Sequence, residues 1–182
     1  MPLGARGQGP EPRPYTPRMS DASRTRTVTW ADPAVHAWRA SSGPGLEILK
    51  KVVAKELPPA PMASVLGYEL IEAAEGRAVF AVTPAEYHYN PAGHVHGGFA
   101  ATVLDSAMGC AVYSTVEVGW TYTTIEIKVN YLKPITVATG PLRGIGTLLH
   151  RGRRTAMAEG RLEDASGRLL AHATTTCLIW QV

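Results

Sequence analysis

The chain has 182 residues, 45% of them hydrophobic and 18% charged, with a net charge of +3, enough for one domain with a substantial core. The positive charge is local: residues 1–39 hold six arginines against three acids, while residues 40–182 hold twelve basic and twelve acidic residues. A neutral body without an aromatic–basic ladder argues against a nucleic-acid partner.

Residues 1 to about 27 are rich in Pro, Gly, Arg and Ser and hold too few apolar side chains to pack, so disorder is expected there. The expected division is an extension over residues 1–40 and one domain over 41–182. Met19 offers an alternative start within the extension. No apolar core follows the first arginine, so no secretory leader is expected, and Asp105 interrupts the only long apolar run, so no membrane span is expected. Cys110 and Cys177 sit in apolar segments and read as buried thiols of a reducing compartment, which points to the cytoplasm.

Apolar residues at 46, 49, 52, 53 and 57 give Gly45–Leu57 a helical period, stopped by Pro58, Pro59 and Pro61. Met62–Leu66 fits a further short helical turn. Residues 67–73 and 77–83 read as a hairpin around Glu75-Gly76. A loop over 86–95 leads into a helix from about His96 to Val116, nearly apolar all round and so expected to be enclosed by the fold. Strands are expected at 122–131, 140–150, 155–164 and 168–180, with Ile125, Ile127, Val129 and Tyr131 sharing a face of the first. Asp164-Ala-Ser-Gly167 joins the last two. One long apolar helix followed by antiparallel strands is an α+β pattern.

Chemistry concentrates around that helix. The run Asn90-Pro-Ala-Gly-His-Val-His-Gly-Gly98 opens it, and seven residues later comes Asp105, one carboxylate in an apolar stretch. A helix N-terminus offers free N–H groups and partial positive charge to an anion or a developing oxyanion, and glycine lets a ligand carbonyl approach them. Gly97 and Asp105 are eight residues apart, about 12 Å of helical rise. Groups acting on one carbon must converge to about 3 Å, so both can serve one substrate only if two copies of the helix lie antiparallel, as in a symmetric dimer.

Asn-x-x-Gly-x-x-His-Gly-Gly followed by Asp resembles the hotdog-fold acyl-CoA thioesterases of the phenylacetic-acid-degradation (PaaI-like) group. Tyr122–Pro134, His150–Arg154 and Gly167–Ala171 extend the resemblance, which covers about Leu57 to the C-terminus. It implies a hotdog fold, an antiparallel sheet wrapped around a long central helix, and hydrolysis of an acyl-CoA to free acid and CoA. It also implies that Asp105 is the catalytic carboxylate, either general base or nucleophile. Burial would raise its pKa and suit the first role. Gly97 matches the glycine whose N–H polarises the thioester carbonyl, and Asn90 matches a residue that places the carbonyl or the water. Asn before Pro91 is equally a common turn residue. His96 matches the histidine of the His-Gly-Gly element and reads as an orienting, capping residue. Thr124 matches a hydroxyl that contacts the carboxylate. Gly98, Lys133, Gly152, Arg153 and Arg154, with Arg151, are candidates for binding CoA, whose phosphates suit Arg forks and Lys charges; exposed basic residues are also ordinary surface. Acyl contacts are expected from Met108, Tyr113, Tyr87 and Tyr89.

His88, His94 and His96 have generic spacing and no cysteine or second carboxylate joins them, so no metal is expected. No cofactor is expected either, CoA being part of the substrate. The expected partners are an acyl-CoA and further copies of the chain, as a homodimer or homotetramer. The rival reading is a non-catalytic acyl-CoA-binding or sensing module.

Overall fold

The computed structural model describes residues 23–33 and 43–182. Most of the expected disordered extension, and the alternative start at Met19, lie outside these residues.

Helix α1 (Gly45–Val53) buries Ile48, Leu49 and Val52, as its period requires. It ends four residues before the expected Leu57. Lys55 adopts a left-handed φ of +62°, and the N–H groups of Glu56 and Leu57 both donate to the Lys51 carbonyl. A left-handed turn thus closes the helix before the prolines are reached. Helix α2 (Pro61–Leu66) begins on a proline, which suits the first helical position. Strands β1 (Tyr68–Ala74) and β2 (Arg77–Val82) form the expected hairpin. Helix α3 (Gly97–Tyr113) follows the loop, and then β3 (Trp120–Tyr131), β4 (Leu142–Arg151), β5 (Thr155–Asp164) and β6 (Leu169–Gln181). The Asp164 carboxylate accepts from the N–H and hydroxyl of Ser166 and from the N–H of Arg168, which fixes the β5–β6 turn.

The six strands make one antiparallel sheet in the order β1-β2-β4-β5-β6-β3. Helix α3 packs on one face of it, burying Val103, Leu104, Ala107 and Met108 against Ala156, Ala158 and Leu162 of β5 and their neighbours. This is the hotdog arrangement. Contact is close because β4 carries glycines: a Cβ on Gly146 would lie 2.1 Å from the Ala107 carbonyl oxygen. No larger residue fits between strand and helix there. Among the described residues, no helix is long and apolar enough to cross a membrane.

Three expectations need correction. Helix α3 is not enclosed on every side within one chain. Gly98 is exposed and Ala101, Thr102, Asp105 and Ser106 are only half-buried, and their spacing makes them one stripe. Apolarity hid the stripe because Gly, Ala and Thr are small rather than charged. Second, Ile125 does not share the inner face of β3. The register shifts between Thr124 and Glu126; Thr124 pairs with Cys177, Ile127 with Thr175, Val129 with Ala173 and Tyr131 with Ala171. The bulge therefore turns Thr124 toward the helix and leaves Ile125 57% exposed. Third, the extension contacts the body before residue 27. Arg24 pairs with Glu86 at 2.6 Å. Arg26 donates to the Ser64 and Val65 carbonyls and lies 4.1 Å from the centre of the Tyr87 ring. These are charged and cation–π contacts, which a count of apolar residues does not register.

Candidate active site

At the start of α3, His96 is the N-cap. Its Nδ1 accepts from the Gly98 N–H at 2.9 Å, and its carbonyl accepts from Phe99 at 3.0 Å. Capping of this kind satisfies N–H groups that a helix end leaves open. Among the described residues, the Gly97 N–H has no acceptor. Gly97 lines a cavity of about 380 Å³ together with Val95, His96, Ala100 and residues 131–135. Lys133 is on the same wall, so the structure brings together His96, Gly97 and Lys133, with Gly98 beside them.

Tyr131 joins this group without having been expected as a site residue. Its hydroxyl donates to the Gly97 carbonyl at 3.1 Å, and a Cβ on Gly97 would come within 3.0 Å of its ring. Its position at the end of β3, on the alternating face it shares with Ile127 and Val129, was the available signal.

Asn90 serves the loop. Its Oδ1 accepts from the N–H groups of Ala92 at 2.9 Å and His94 at 3.3 Å, and its own N–H donates to the His94 carbonyl at 2.7 Å. This is the turn use of asparagine; Asn90 is not on the cavity wall. His88 also belongs to the scaffold. Its Nδ1 accepts from Ala85 at 3.0 Å, so its Nε2 donates to the Leu66 carbonyl at 2.9 Å. It packs on Phe99 with 4.1 Å between ring centres, and burial holds its pKa below the usual histidine value. Both ring nitrogens are committed to the backbone, pinning the loop between α2 and α3.

Asp105 lies two turns further along α3. It is half-buried rather than sealed in the core. Thr124 Oγ1 donates to its Oδ1 at 2.9 Å, a bond that exists because the β3 bulge reverses the facing of Thr124. One oxygen is thereby held, and Oδ2 has no partner among the described residues.

Gly152, Arg153 and Arg154 form the β4–β5 turn, where the Gly152 N–H donates to the Thr155 carbonyl at 2.8 Å. Arg151 and Arg153 line a separate cavity of about 230 Å³ with Thr115, Glu117 and Trp120, past the C-terminal end of α3. The candidates therefore fall into three clusters strung along one helix: Gly97 at its start, Asp105 at its middle and the basic turn beyond its end. The tyrosines and methionine expected around the acyl group line neither of these cavities. Met108 and Tyr113 are core residues on the faces of α3 turned inward, 0% and 3% exposed. Tyr87 lies against Arg26, and the Tyr89 hydroxyl accepts from the Val137 N–H at 2.9 Å.

The family model of the thioesterase superfamily matches residues 92–171. A protein of Saccharolobus solfataricus, provisionally named an esterase, is 32% identical over 108 residues, covering 59% of this chain and 75% of that protein. The chain belongs to the thioesterase superfamily. A second relative of this thioesterase-superfamily chain, the 1,4-dihydroxy-2-naphthoyl-CoA hydrolase of Listeria monocytogenes, is 23% identical over 114 residues, covering 63% of this chain and 91% of the enzyme. A solved structure from Ralstonia eutropha JMP134, provisionally described as a thioesterase related to phenylacetic acid degradation, superimposes with a TM-score of 0.64 and 29% identity. That alignment covers 71% of this chain and 98% of the other. The segment matched to the superfamily runs from the loop before α3 into β6. Gly97, Asp105, Thr124, Lys133 and the basic turn lie within it, whereas Asn90 precedes it. Superfamily membership and the named activities of these relatives support a hydrolase.

Proposed function

We propose that the protein hydrolyses an acyl-CoA thioester to a free acid and CoA in a site shared by two copies of the chain. The observation that carries this reading is the Gly97 N–H, which has no acceptor among the described residues and lies in a cavity wall at the positive end of α3. A donor so placed suits the oxyanion that forms when a thioester carbonyl is attacked.

Asp105 of the opposing copy drives the attack. As general base it takes a proton from water on Oδ2 while the water oxygen bonds to the thioester carbon. The carbonyl electrons move to the oxygen held by Gly97, then return and expel CoA as thiolate, which takes up a proton. As nucleophile the carboxylate itself bonds to that carbon and expels the thiolate, and water then hydrolyses the mixed anhydride. Thr124 positions the carboxylate in both cases. Asn90 holds the loop before Gly97, and His96 holds the turn around it.

The uncovered stripe on α3 and the exposed edge strand β3 support the second copy. Along β3, Ile127 and Tyr131 are 37% and 56% exposed, and an edge strand of this length leaves backbone groups open to a partner strand. Antiparallel pairing brings Asp105 of one copy toward Gly97 of the other. It also brings the basic β4–β5 turn of one copy toward the Lys133 end of the other, where cations suit the phosphates of CoA. The unpaired, buried Cys110 and Cys177 suit a reducing cytoplasm.

The test is release of free thiol from acyl-CoA thioesters by the full chain. Turnover yielding equimolar acid and CoA is expected. Tight binding of the thioesters without any turnover contradicts a catalyst and favours a binding or sensing module.

A further inference from the structure

A second cavity, of about 130 Å³, reaches α3 at Ser106, the residue that follows Asp105. Ser106 and Cys110 of α3 line it, and so does Tyr122, two residues before Thr124 on the same face of β3. Val52 of α1, Ala63 of α2 and Ala60 at the N-cap of α2 roof it, and Phe80 forms a wall. Tyr122 lies against Gly109, one turn or about 6 Å along the helix from Asp105. The charge of Asp105 also reaches this lining: burial is the main cause of the raised pKa values of Tyr68, Tyr122 and Cys110, the last pushed up to about 12, and the nearby carboxylate adds to each.

The lining has a definite chemistry. Tyr68 and Phe80 meet edge to face with 5.4 Å between ring centres, which with Tyr122 gives aromatic walls. The Tyr68 hydroxyl and Ser106 Oγ share a hydrogen bond of 2.9 Å, whereas the Tyr122 hydroxyl makes none among the described residues. A dry cavity of about 150 Å³ is known to hold one benzene molecule. A space of about 130 Å³ is of the size that takes one ring.

Resting on the thioesterase reading above, we propose that this cavity holds the acyl group, and that α1 and α2 limit that group to one no larger than a single six-membered ring. The thioester carbon then sits over Asp105, with the acyl group pointing along α3 into the cavity and the CoA arm leaving on the Gly97 side. Two fused rings, or a chain well beyond six carbons, exceed the space. Ala60 and Val52 set the limit, because they close the roof.

The experiment compares kcat/KM for acetyl-, hexanoyl-, benzoyl-, 2-naphthoyl- and dodecanoyl-CoA. In the wild type, rates rise from acetyl to benzoyl and hexanoyl, by up to about fourfold per buried methylene, and fall for naphthoyl and dodecanoyl. Ala60→Phe fills the cavity and lowers the benzoyl-to-acetyl ratio at least about tenfold. Val52→Ala opens the roof and raises the naphthoyl-to-benzoyl ratio, so the proposal stays testable if Ala60→Phe does not fold. Ratios unmoved in both folded variants, or wild-type rates that keep rising to dodecanoyl, overturn it. Calorimetry with non-hydrolysable thioethers of the same acyl groups separates this from the catalytic reading. If no thioester turns over, selectivity of thioether binding that Ala60→Phe abolishes still upholds the cavity, and its absence overturns it.

Discussion

Asp105→Asn lowers kcat by about a thousandfold or more, the loss expected when a positioned carboxylate can no longer accept a proton or attack carbon. The substitution is close to isosteric. The asparagine Oδ1 still accepts from Thr124, so the 2.9 Å contact and the local fold are kept. What disappears is the charge and basicity of the second oxygen. Kd for a non-hydrolysable acyl-CoA thioether stays within about threefold, because the loss falls on the transition state rather than on ground-state binding. A rate within tenfold of wild type in the folded variant removes Asp105 from the mechanism.

Gly97→Pro removes a single N–H and lowers kcat about a hundredfold to a thousandfold, as loss of one oxyanion donor does. The position tolerates the change for reasons visible in the backbone. Gly97 is the first residue of α3, where proline fits and its missing N–H breaks no helical bond. His96 already has φ −61° and ψ 136°, the extended conformation that a following proline demands. The added Cβ meets the ring of Tyr131 at 3.0 Å, so that ring must give by a few tenths of an ångström. Gly97→Ala keeps the N–H and serves as control, with most of the activity retained despite the same contact. Equal losses in both variants would trace the effect to Tyr131 rather than to the donor.

The elements that sequence disclosed best are those with strong local signals. The β1–β2 hairpin, α3 with its glycine start, and β5 with β6 across Asp164–Gly167 lie within a few residues of their expected bounds. Reading failed where the deciding partner is remote. The facing of Thr124 depends on a bulge, which shows only once β3 is set against Cys177 and Thr176 of β6. Alternation along β3 alone sets Thr124 opposite the face of Ile125, Ile127, Val129 and Tyr131, so its contact with Asp105 is implied by the family resemblance and not by periodicity. Helix α1 ended early because Lys55 took a left-handed conformation that no glycine announced. Apolarity along α3 does not show which of its faces stays uncovered, because alanine and glycine suit a buried face and a helix–helix contact equally. The cavity proposed for the acyl group is out of reach of a sequence reading because its roof comes from α1 and the start of α2, far from Asp105 in sequence.

The shared site is the central claim, and complementation between two inactive variants tests it most directly. Asp105→Asn and Gly97→Pro carry different tags, are produced together, and species bearing both tags are isolated. In a mixed dimer one site combines both defects and the other has an intact Asp105 facing an intact Gly97. Such dimers recover about half the wild-type activity, although each variant alone is nearly inactive. Doubly tagged assemblies no more active than their parents, or a fully active wild-type monomer, would contradict a site built by two copies.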